Sequence, residues 1–217
     1  MTKGQTEKGG AGMTVEKKFS YWADEDRDRL RCCDPDQKIN WFKERVQMVL
    51  IRPLEHIVTS DIMLGRPNSS ALLIVGVAIC CAIEAMGRFI LNGRPDRENK
   101  DCFKAFAHKY MSPDLELKRI GRRRTSYSTL LWRDFRNGIA HGFTVKHGGF
   151  FGSKVGPYFN VDRVDGRDVL KVNPYRFYAD FRQGFDKYLR ALRNAGTNDP
   201  LRVNFLHTFD EIFIEGR

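Results

Sequence analysis

Residues 130–143 read LLWRDFRNGIAHGF and hold the side chains best suited to moving a proton beside a phosphate. The guanidinium of Arg136 offers a planar fork of donors to a phosphate, and the imidazole of His141 titrates near neutral pH. An amide at Asn137 and a carboxylate at Asp134 can orient either group. Wound as an α-helix at roughly 100° per residue, the stretch puts Leu131, Trp132, Phe135 and Ile139 on one apolar stripe. Asp134, Asn137 and His141 gather on the other side. Asn137 and His141 are an i,i+4 pair and Asp134 stands two turns before His141, so acid and amide both reach the ring. Arg136 is five steps from His141, about 140° around the cylinder. One straight helix therefore does not aim both at one atom. Either Gly138 loosens the helix, or two copies of it meet across a twofold axis where two Arg and two His converge. Such a seam could act on a phosphodiester without metal, the guanidinium holding the phosphate and the imidazole transferring the proton. The plainer alternative leaves Arg136 and Asn137 solvated and His141 at the negative end of the helix.

Two other groups could join this stretch. Glu84 lies late in the apolar run ALLIVGVAICCAIEAMGRFI, where a buried carboxylate needs a partner. That partner is Arg88, four residues on, or else Arg136 or His141. Lys118, Arg119, Arg122, Arg123 and Arg124 come just before the motif helix, as a solvated connector or as a phosphate-binding edge of the same cleft. His56, His108, His147 and His207 have no companions at metal-ligand spacing, so neither a metal nor a cofactor is expected. KHGGFFGSKVG lacks the order of a phosphate-cradling P-loop, and neither G-x-G-x-x-G nor G-x-S-x-G occurs in a strand-turn-helix setting. Kinase, dehydrogenase and serine-hydrolase chemistry have no footing.

The elements that must hold these groups read as helices. Apolar positions recur at three and four over residues 34–59, with Pro53 set to kink or divide the helix. Ser69 or Ser70 caps a helix to Leu91, stopped by Asn92-Gly93. Further helices are expected over 101–111, over 125–141 with Thr125 or Ser126 as cap, from Pro174 to about Asn194, and over 201–214. Two strand-like runs flank Asp165-Gly166, a hairpin signal. The fold class is therefore all-α, with a small β-hairpin insertion after the motif helix. Residues 1–18, rich in Gly, Lys and Thr, read as a disordered tail, and 19–217 as one helical domain with its core at about 39–195 and a C-terminal helix.

The chain has 217 residues and a formal net charge of +10, which favours polyanionic partners. A DNA-binding regulator rests on charge alone, since no helix-turn-helix is apparent. Five cysteines (Cys32, Cys33, Cys80, Cys81, Cys102) form no C-x-x-C, which fits a reducing cytoplasm rather than a disulfide framework. The apolar stretch ALLIVGVAICCAI is 13 residues long, short of the roughly 20 of a bilayer span, so it reads as a buried helix and no membrane association is expected.

Arg136-Asn137-Gly138-Ile139-Ala140-His141 resembles the signature of the HEPN superfamily, an Arg, a polar residue, three more positions and a His near the end of a long helix. The preceding apolar helix with Glu84 near its end is also similar to that family. The likeness covers about residues 39–195 in outline and is specific over the six-residue motif and the helix ahead of it. It implies a HEPN-like helical bundle that forms homodimers and, in many members, a metal-independent endoribonuclease of toxin or phage-defence type. By the same resemblance Arg136 would hold the scissile phosphate, His141 would act as general acid or base, and Asn137 would help position them. RNA would be the substrate, and an antitoxin or defence protein a further partner. Other proteins of this fold are catalytically silent binding modules, which is the alternative reading here. Phe143 stands where one subgroup carries a Tyr that is modified by nucleotide transfer, so that form of control is not expected.

Overall fold

The structure, a computed structural model, describes residues 24–63, 70–92, 99–111, 117–120, 123–138, 150–151, 159–164 and 167–216. The expected N-terminal tail lies outside them. Helix α1 (Asp24–Arg31), not anticipated from the sequence, carries the i,i+3 pairs Arg29–Asp26 and Arg31–Asp28 and buries Leu30. Helix α2 (Pro35–Val46) starts on a capping box: the Asp34 carboxylate accepts the Gln37 N–H at 2.8 Å, and the Gln37 side chain accepts the Asp34 N–H at 2.9 Å.

The first helical run does not break at Pro53. It widens to an i→i+5 pattern over Gln47–Ile51 and continues as α3 (Arg52–Met63). A proline inside a helix lacks a donor and crowds the preceding turn. The wide turn falls just ahead of Pro53 and takes up that crowding: the Arg52 N–H donates to the Gln47 carbonyl, and the Tyr178 hydroxyl donates to the Ile51 carbonyl at 3.2 Å.

Helix α4 (Ser70–Leu91) buries Leu72, Val75, Ile79, Cys80, Ile83, Met86 and Phe89, and Asn92 ends it in the left-handed region at φ 68°. Glu84 and Arg88 lie inside this helix, as expected of one that runs to Leu91; against the expectation of a stretch too short for a span, Ala71–Leu91 is long and apolar enough by length and composition to cross a membrane, with a mean hydropathy of 2.0 in its most apolar window. Its inward face packs on α5 (Asn99–Tyr110), on α7 (Pro174–Asn194) and on α8 (Pro200–Phe209). The approach to α5 is closest at Gly87, where no Cβ intervenes before the Cys102 backbone.

The basic segment, read as a solvated connector or as a phosphate-binding edge, pairs with itself. Strands β1 (Leu117–Ile120) and β2 (Arg123–Ser126) are antiparallel, with Leu117 opposite Ser126 and Arg119 opposite Arg124. Ser126 then caps α6 (Tyr127–Leu130), its hydroxyl accepting the Thr129 N–H. The helix runs on with wide winding over Leu131–Arg136.

Strands β4 (Phe159–Val164) and β5 (Arg167–Val172) form the expected hairpin, and its Asp165-Gly166 link lies outside the described residues. A short strand, β3 (Phe150–Phe151), adds in parallel to β5, so this sheet has three strands in the order β3-β5-β4 rather than two. Asn173 caps α7, Asp199 caps α8, and α8 passes into a wide-wound turn over Asp210–Glu215 that closes at Gly216. The described residues are mostly helical.

Buried side chains from these helices form one cluster. Phe42 packs against Phe89, Phe185, Phe205 and Phe213, with ring centroids 4.7–6.3 Å apart. Tyr110 and Tyr188 meet edge to face at 5.3 Å. Burial pushes the Tyr110 phenol up to about 12 with help from Asp199, raises Tyr188 well above the usual phenol range, and raises the Cys80 thiol. These groups keep their protons in the folded chain at pH values where the unfolded chain has released them. Stability is therefore full below the ordinary thiol and phenol range, about 8.5 to 10, and falls as pH rises through it. Urea unfolding measured from pH 7.5 to 10.5 is expected to show a declining free energy, with a shallower decline in Tyr188→Phe. A flat profile would contradict the burial of these groups.

Candidate active site

Two elements build the site. Helix α4 brings Glu84, 6% exposed, and the wide-wound end of the motif helix brings Arg136 and Asn137. The Arg136 Nε donates to Glu84 Oε2 at 2.7 Å and its Nη1 donates to Asn137 Oδ1 at 3.0 Å. With 18% of its side chain exposed, Arg136 is mostly covered. A guanidinium has five N–H donors. Two are engaged among the described residues, and the other three have no partner there.

Glu84 has two cationic neighbours. Arg88 stands at 3.7 Å from Oε1 and donates to Asn99 Oδ1 at 3.3 Å, which links the site to the start of α5. The closer partner is Arg136, one of the three the sequence left open. Charge-assisted contact at 2.7 Å between two covered groups fixes the guanidinium plane more firmly than the half-exposed Arg88 can.

Asp134, expected on one side with Asn137 and His141, is 2% exposed and accepts both Nε and Nη2 of Arg133, at 2.5 and 2.7 Å. Over Leu131–Arg136 the turns hold more than 3.6 residues, and the Asn137 N–H bonds the Trp132 carbonyl five residues back, so a wheel drawn at 100° per residue fails. His141 itself, with Phe143, lies outside the described residues, as do Arg122 and His147. Lys118, Arg119, Arg123 and Arg124 occupy the β1–β2 hairpin.

Sequence reasoning missed three features. Arg133, half exposed, adds a guanidinium paired with the buried Asp134. Cys80 and Cys81 sit close enough to sense the site: burial raises both thiols, Arg136 lowers them and Glu84 raises them. Their nearness to Glu84 in sequence was the available signal. The His108 Nε2 lies 2.8 Å from the Ser128 hydroxyl, which is 2.9 Å from Ser126, so α5 is tied to the start of the motif helix. That contact spans 20 residues and has no local signal.

Among the described residues no group of three or more His, Cys, Asp or Glu could hold a metal ion, and all five cysteines are free thiols. No family model, curated protein or solved structure matches the chain. The arrangement itself is a buried carboxylate that fixes a guanidinium, with an amide on its other edge.

Proposed function

We propose that this chain is a HEPN-like endoribonuclease that works without metal as a homodimer, with a cleft shared by two copies of the motif helix. The observation that carries the reading is the anchoring of Arg136 between Glu84 and Asn137 with three donors to spare. A guanidinium held in this way meets a phosphate with little loss of side-chain freedom, which favours transition-state charge stabilisation.

In the proposed reaction the RNA 2′-hydroxyl gives its proton to a base and its oxygen bonds to phosphorus. The bond to the 5′-oxygen breaks, that oxygen takes a proton, and a 2′,3′-cyclic phosphate remains. His141 serves as general acid or base, Arg136 holds the developing charge, and Asn137 and Glu84 position Arg136. The resemblance further suggests a cytoplasmic toxin or phage-defence role, with an antitoxin or defence protein as partner.

One observation favours the second reading, an inactive module that binds nucleotide, nucleic acid or protein: Arg136 is mostly covered and already neutralised by Glu84. Incubation of the purified protein with RNA in EDTA separates the two. Cleavage to cyclic-phosphate ends is expected, reduced at least about 100-fold in Arg136→Ala and in His141→Ala. A wild type that leaves RNA intact, or variants that cleave as it does, would establish the module instead.

A further inference from the structure

We draw no further inference here: the strongest candidate, the side-chain cluster in which the His108 ring, lining the groove along α5, lies 2.8 Å from the Ser128 hydroxyl, carries nothing because Ser128 is fully buried and its oxygen is closed to any molecule in that groove.

Discussion

Gly87→Ala is expected to lower stability by about 3 kcal/mol or more, although alanine is the better helix former by about 1 kcal/mol. A Cβ at this position would stand 1.8 Å from the carbonyl oxygen of Cys102, 2.3 Å from its carbonyl carbon and 2.7 Å from its Cα. All three are backbone atoms of α5, so no flexible side-chain tip can yield. Carbon atoms in good contact sit about 3.5–4.0 Å apart, and the two helices must separate by more than an ångström. That shift would propagate along the whole α4–α5 seam. It would reach Glu84, one turn before Gly87, and Arg88, whose bond to Asn99 spans the same crossing. For a chain of this size the loss corresponds to roughly 6–12 °C in Tm. Gly184→Ala is the internal control: its added Cβ would lie 3.1 Å from the flexible Met111 side chain and 3.2 Å from the Tyr110 carbonyl, so strain and helix propensity nearly cancel. An unchanged Tm in Gly87→Ala would mean that the helices do not cross this closely.

The contrast between these glycines parallels what the sequence could and could not reveal. Local chemistry was legible. Ser126 ahead of the motif helix, Asn92 after α4 and Pro174 at the start of α7 each mark a boundary through a hydrogen bond or a φ restriction made within a few residues. The wide turns over Gln47–Ile51, Leu131–Arg136 and Asp210–Glu215 were not, since no residue type encodes i→i+5 winding; tertiary packing selects it. The β1–β2 hairpin was hidden because a run of Arg and Lys reads as solvated, and backbone pairing there is independent of hydrophobic alternation. For Glu84 the sequence reached the right set of partners, because a carboxylate in an apolar helix must be matched. Choosing Arg136, 52 residues away, over Arg88 took the packing of two helices.

Glu84→Ala is expected to cost about 3–5 kcal/mol, because it leaves the covered Arg136 guanidinium without its counter-charge. The neighbouring Arg88 offers no compensation: it is a cation itself. Asn137 keeps one hydrogen bond to Nη1 but supplies no charge. Glu84→Gln keeps an acceptor near Nε and should lose less, about 1–3 kcal/mol, which separates the hydrogen bond from the charge. Arg88→Ala, by contrast, removes a half-exposed group 3.7 Å from the carboxylate and should change stability by less than about 1 kcal/mol. Urea midpoints for the three variants, with the Glu84→Ala/Arg136→Met double variant to close a cycle, measure the coupling. The double variant should recover part of the loss, since replacing both charges removes the stranded guanidinium rather than merely its partner. If the RNase reading is right, Glu84→Gln will also be the variant that folds yet cleaves slowly, with kcat falling more than KM rises. Its guanidinium still binds phosphate but no longer waits in one orientation for the charge that develops there.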